Sequence, residues 1–129
     1  MESDSAEQAV KWLRAIQLIS QAAGYCGMIQ GQMLDMASEN IPLTVAELKS
    51  MHRLKTGALI EASVRCGADL AGVSSTQMQM FESYAQNIGL AFQVTDDILN
   101  VEGDPAIMGK AVGTDEQRHK TTYPALLGL

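Results

Sequence analysis

Met78, Phe81, Ala85, Ile88, Phe92, Thr95 and Leu99 recur at alternating steps of three and four, the repeat of one face of an α-helix and of no strand. Just ahead of them Ser74 and Gln77 have capping-box spacing. The helix is therefore predicted from Ser74 to near Val101, about 28 residues or roughly 42 Å at the helical rise. A rod of that length runs the height of a bundle.

The remaining segments repeat the period more weakly. Ser5 to about Ser20 carries Ala9, Leu13, Ile16 and Ile19, with Ser5 and Gln8 at cap spacing. A second helix is expected from Gln21 to about Ser38. It contains Gly24, Gly27 and Gly31 on one side, and since each costs about 1 kcal/mol in a helix interior, another backbone or a ligand should come close there. Asn40-Ile41-Pro42-Leu43 breaks the pattern. Thr44 and Glu47 open a third helix through Val45, Leu48, Met51, Leu59 and Ala62, expected to run to about Cys66 and stop at Gly67. Asp104-Pro105 starts a short helix closed by Gly109, and Thr121-Tyr-Pro-Ala-Leu-Leu begins another. With 47 % apolar residues, eight Met and three Pro, the fold class is all-α.

At 129 residues the chain is one domain or part of one. A net charge of −6 with no basic run excludes a duplex-binding surface. Cys26 and Cys66 lack metal-ligand spacing and read as free thiols of a reducing compartment. No apolar run reaches the roughly 18 residues of a membrane span, and Met-Glu-Ser-Asp-Ser is acidic where a signal peptide is basic. A cytoplasmic location is expected.

Three groups of residues carry chemistry. Gln93, Asp96, Asp97 and Asn100 form a polar stripe on the long helix. Two readings fit Asp96 and Asp97: acids on a solvated outer face, or oxygen ligands for Mg²⁺, which takes one or two carboxylates and completes its shell with water and phosphate. Their place in the C-terminal half, where the helix dipole disfavours negative charge, points toward the metal. Lys55 shares a face with Leu48, Met51, Leu59 and Ala62, so either its stem snorkels to water or an anion meets it. Thr56-Gly57 beside it would let a phosphate approach. Lys110, Arg118, His119 and Lys120 form a charged loop or a positive lid over metal-bound phosphate, and His52 reads as a helix-face residue.

Taken together, Gly31-Gln-Met-Leu-Asp35, His52-Arg-Leu-Lys-Thr-Gly-Ala-Leu59, Gly89-Leu-Ala-Phe-Gln-Val-Thr-Asp-Asp-Ile-Leu-Asn100, Gly109-Lys110, Gly113-Thr-Asp115 and Lys120-Thr-Thr-Tyr-Pro-Ala-Leu-Leu-Gly128 resemble the trans-prenyl diphosphate synthases, and most the bacterial farnesyl diphosphate synthases. The strings keep the family's order and spacing from about Ile16 onward.

The resemblance implies an incomplete helical bundle of the isoprenoid synthase type, working as a homodimer. Its reaction condenses isopentenyl diphosphate with an allylic diphosphate, with Mg²⁺ as cofactor. It gives Asp96 and Asp97 to metal, Lys55, Lys110 and Lys120 to the allylic diphosphate, and Thr56 and Gln93 to the pocket near the cation. Gln32 and Asp35 match a polar pair without a defined role. Asn100 stands where the family usually has a third aspartate. No first aspartate-rich motif precedes Asp35, where the acids are Glu2, Asp4 and Glu7. Residues 1–129 are therefore expected to be about the second half of a synthase domain, less its last helices, and not competent alone. The alternative is a non-catalytic helical module that binds diphosphate or pairs with a full-length subunit.

Overall fold

The structure, a computed structural model, describes residues 2–109 and 112–128. Among them there is no strand. Helix α1 (Glu2–Ala23) and α2 (Met28–Ala37) are followed by α3 (Val45–His52), a wide π turn (Arg53–Gly57) and α4 (Ala58–Ala71). The long α5 (Ser75–Glu102) comes next, then the short α6 (Pro105–Met108), α7 (Thr114–Gln117) and α8 (Tyr123–Leu127). No helix among the described residues is long and apolar enough to cross a membrane.

Local chemistry sets most of these boundaries. The hydroxyls of Thr44 and Ser74 accept the amides of Glu47 and Gln77, whose side chains reach back to the cap amides. Both are closed capping boxes. Asp104 and Thr122 cap α6 and α8 one way only, their side chains accepting the Ala106 and Ala125 amides, each ahead of a proline. Three boundaries differ from expectation: the first helix already begins at Glu2, so Ser5 lies within it and does not cap it. The first helix runs on to Ala23 and the break falls at Gly24–Gly27, so Gly24 and Gly27 lie outside the second helix and only Gly31 lies within it. The helix expected to stop at Gly67 continues to Ala71 and ends at Gly72, which takes the left-handed conformation with φ 71°. Gly67 keeps helical dihedrals, with open space around it.

Helices α4 and α5 form the most extensive pair, and α1 packs across α4, where Cys66 Sγ lies 3.8 Å from the Ala15 carbonyl. Both cysteines are free, Cys66 buried and Cys26 exposed. A second pairing sets α2 on the π turn. A methyl group at Gly31 would run into the backbone of Leu54 and Lys55. That close approach is what the glycine spacing anticipated. The core is Leu48, Met51 and Tyr123, joined by Leu43, Leu90, Val94 and Leu126.

The face of α5 turned inward is the small and polar one. Ala85, Gly89, Gln93, Asp97 and Asn100 are its buried residues, whereas Phe81, Ile88, Phe92 and Leu99 of the apolar stripe are exposed. Small side chains explain the choice: Gly89 sits so close to Gly57 that an added Cβ would lie 3.2 Å from its Cα. The helices meet nearly backbone to backbone there, and the bulky stripe is left outside with Trp12, Leu13 and Ile16 of α1.

Candidate functional site

Five stretches of chain converge on a cleft of about 60 Å³ lined by Asp35, Met51, His52, Lys55, Gln93, Asp96, Asp97, Asp115 and residues 120–122. Helix α2 supplies Asp35, the end of α3 supplies Met51 and His52, and the π turn supplies Lys55. From the other side α5 contributes Gln93, Asp96 and Asp97, and α7 with the segment before α8 adds Asp115 and Lys120. A π turn holds one residue more than an α turn and occurs often at functional sites. Here it carries Lys55, and its backbone is seated against Gly31.

Asp35 ties the lysines together. Lys55 Nζ and Lys120 Nζ both donate to its Oδ2, at 2.8 and 2.7 Å, from positions 20 and 85 residues away in sequence. The lysine side chains are 32 % and 14 % exposed against 8 % for Asp35, and both lysines line the cleft. Burial works to raise the Asp35 carboxyl, but the hydrogen bonds from Lys120 and Lys55, and their charges, outweigh it and hold it below its ordinary value. The carboxylate stays charged.

Asp97 is in the opposite condition. Burial pushes its carboxyl up to about 6, and the neighbouring acids Asp115 and Asp96 push the same way against a hydrogen bond from the Tyr123 amide. That amide donates to Asp97 Oδ2 at 2.8 Å and is the first of α8, so one carboxyl oxygen caps a helix while Asp97 still lines the cleft. Asp96 lies half-buried beside it. Gln93 is buried and also lines the cleft.

Asn100 turns to a different task. Its Nδ2 donates to Thr114 Oγ1 at 3.0 Å, its Oδ1 accepts the Asp115 amide at 3.4 Å, and its own carbonyl accepts the Gly113 amide at 2.8 Å. The amide anchors the loop that presents Asp115. On the other flank the Leu43 amide donates to Thr121 Oγ1 at 3.1 Å, which fixes the segment carrying Lys120.

The structure thus brings together Lys55, Lys120, Gln93, Asp96 and Asp97. Thr56, next along the π turn, is not among the residues lining the cleft. Lys110 lies outside the described residues. Among the described residues of the charged loop only Lys120 lines the cleft, while Arg118 and His119 are exposed. His52 is no simple helix-face residue: it is buried, its ring centroid is 5.5 Å from that of Tyr123, and its Nδ1 finds no hydrogen-bond partner among the described residues. Asp115 was missed as a site residue. An acid two positions after Gly113, in a string already singled out, was the signal that pointed to it.

An all-helical bundle with lysines and acids meeting across one cleft defines the class, a helical domain of the isoprenoid synthase fold. The chain belongs to the polyprenyl synthetase family, whose family model matches residues 3–129. It is 50 % identical over 115 residues to the farnesyl diphosphate synthase of Escherichia coli (strain K12), covering 88 % of this chain and 38 % of that protein. To the farnesyl diphosphate synthase of Geobacillus stearothermophilus it is 45 % identical over 117 residues, covering 91 % and 39 %. A crystal structure of Helicobacter pylori geranyltransferase, complexed with magnesium and isoprenyl diphosphate, superposes with a TM-score of 0.81 at 36 % identity, over 91 % of this chain and 38 % of that one. The chain spans about two-fifths of the length of these relatives.

Proposed function

We propose that this chain carries the diphosphate- and metal-binding part of a prenyltransferase that condenses isopentenyl diphosphate with an allylic diphosphate, of the farnesyl diphosphate synthase type. The observation that supports it above the others is the meeting of two ammonium groups with a set of carboxyls across one small cleft. Lys55 and Lys120, with Lys110 in sequence reach, would bind the oxygens of the allylic diphosphate. Gln93, buried and lining the same cleft, would face the developing allylic cation, with Thr56 on the neighbouring turn. Lys55 and Lys120 are already held by Asp35, so they would stabilise charge on the departing pyrophosphate with little reorganisation.

The residues fit Mg²⁺. Asp96, Asp97 and Asp115 offer oxygens only; burial first, and then the charges of Asp115 and Asp96, push Asp97 up to about 6, and a dication relieves both the desolvation and the crowding of negative charge. Among the described residues no three metal-ligating side chains gather closely enough to hold an ion alone. Mg²⁺ commonly takes one or two carboxylates and shares its substrate's phosphates. When bound, Mg²⁺ would neutralise diphosphate charge and so assist its departure. Asp97 would serve through the oxygen that does not cap α8.

The first aspartate-rich motif and the basic residues for isopentenyl diphosphate are not among these 129 residues, so the chain alone should bind Mg²⁺–pyrophosphate and not condense substrates. A calorimetric titration with pyrophosphate and Mg²⁺ tests the site. Binding by the natural chain that is lost in the double variant Asp96→Ala, Asp97→Ala is expected, and binding unaffected by that change refutes the metal reading. Labelled isopentenyl and geranyl diphosphates test the reaction, and turnover near that of a complete synthase would contradict the inactivity of the isolated chain. A second reading, a non-catalytic module paired with a full-length subunit, draws on the exposed Phe81, Ile88 and Phe92. It predicts pyrophosphate binding with no gain of turnover on adding a complementary first half.

A further inference from the structure

We infer that Asp35 is a positioning residue that holds the Lys55 and Lys120 ammonium groups together as a preformed clamp for one diphosphate; the inference rests on the diphosphate reading above and gives Asp35 the role that sequence leaves undefined. The geometry carries it. One nitrogen lies 2.8 Å and the other 2.7 Å from the same carboxylate oxygen, so the two ammonium groups stand at most 5.5 Å apart. Like charges that close repel, and long lysine stems would separate them in solvent. A single buried acid between them removes the repulsion and fixes both at once.

Each ammonium has three donors and spends one on Asp35. Two from each lysine remain for ligand oxygens. The clamp also joins three separate elements, because Asp35 sits on α2, Lys55 on the π turn and Lys120 ahead of α8. Gly31, one turn before Asp35 on the same helix, lets α2 lie against the Lys55 backbone. The carboxylate consequently reaches an ammonium whose own main chain is packed on its helix, which leaves little freedom for either to drift.

A carboxylate beside an anion site repels the anion, so simple electrostatics expects Asp35→Asn to tighten diphosphate binding. A clamp expects the reverse, since the freed lysines lose their common anchor. Pyrophosphate with Mg²⁺ is titrated calorimetrically into the 129-residue chain, Asp35→Asn and Asp35→Glu, with thermal melts run in parallel. The expected result is a tenfold or greater loss of affinity in Asp35→Asn, with recovery to within about threefold in Asp35→Glu. Unchanged or tighter binding in Asp35→Asn overturns the clamp while leaving the diphosphate site standing. A natural chain that binds no pyrophosphate defeats the site reading itself, and the clamp's role falls with it.

If Asp35→Asn does not fold, nitrogen-15 NMR of the lysine side chains in the natural chain decides. Slowly exchanging Lys55 and Lys120 ammonium signals, assigned through Lys55→Arg and Lys120→Arg, should be present before pyrophosphate is added and persist afterwards. Their absence beforehand, or the loss of either on binding, overturns the proposal.

Discussion

Protonating His52 should destabilise this protein by about 2.5 kcal/mol between pH 7.5 and pH 4.5. The imidazole is 7 % exposed, its Nδ1 has no hydrogen-bond partner among the described residues, and it packs on the Tyr123 ring. Burial pushes its pKa from 6.5 to about 4, and Lys55 and Lys120 push the same way against Asp35 and Asp96. In the unfolded chain the ring takes up its proton near 6.5, whereas the folded protein resists until about 4. The stability it contributes is complete above pH 6.5 and is lost as pH falls toward 4. At about 1.36 kcal/mol for each unit, the shift amounts to roughly 3 kcal/mol in full, of which about 2.5 has gone by pH 4.5.

Asp97 works in the other direction over part of the same range. Its folded pKa is raised to about 6 from 3.8, so its contribution is present at low pH and is lost as pH rises through 6. The raw pH dependence of the natural chain therefore mixes opposing terms. Urea unfolding of the natural chain beside His52→Gln isolates the histidine, because Asp97 titrates in both. The stability difference between the two should move by about 2.5 kcal/mol across the range, with the natural chain losing ground as the solution is acidified. Parallel curves, within about 0.5 kcal/mol, would show that His52 carries no depressed pKa and refute the account of its burial.

Gly31→Ala should cost about 1–3 kcal/mol or more in chemical denaturation, since its Cβ would meet Lys55 and Leu54 backbone atoms that cannot swing aside; a neutral result would mean that α2 and the π turn are further apart than described. Thr44→Ala opens a complete capping box and should cost about 1 kcal/mol, measured in the same assay, whereas no loss would show the cap to be idle. The apolar residues left outside on α1 and α5, among them Trp12, Leu13, Ile16, Phe81, Ile88 and Phe92, should drive self-association. Sedimentation velocity would then show concentration-dependent growth, and a compact monomer at all concentrations would contradict it.

The chain's own residues announced where helices start more clearly than how they face. Ser74 and Thr44 marked helix starts because capping is local chemistry, complete within four residues. The extent of α4 is not legible in the sequence, because a glycine can either end a helix or sit within it: Gly67 lies inside the helix with open space around it, while Gly72 takes the positive φ. On α5 the period was legible but its direction was not. A stripe of Phe81, Ile88 and Phe92 looks like core, yet Ala85 and Gly89 admit the closer neighbour and turn Gln93 and Asp97 inward. Lys55, Asp96 and Asp97 stood out as candidates because their settings were locally unfavourable. Asp35 did not, for its meaning depends on partners 20 and 85 residues distant, a relation that spacing along one helix does not contain.

The extra residue in the turn at Arg53–Gly57 divides one long helical stretch into two packing registers. Upstream, Leu48 and Met51 point to Tyr123, and downstream Ala62 and Cys66 are buried with α1 across them. A π turn closes over one residue more than an α turn, so removing a single codon there lets the stretch wind as regular α-helix with both seams still facing their partners, at the loss of the wide turn that carries Lys55. A deletion at this spot should therefore spare the bundle and act on the cleft, whereas the same deletion within α3 or α4 would rotate everything beyond it by about 100°.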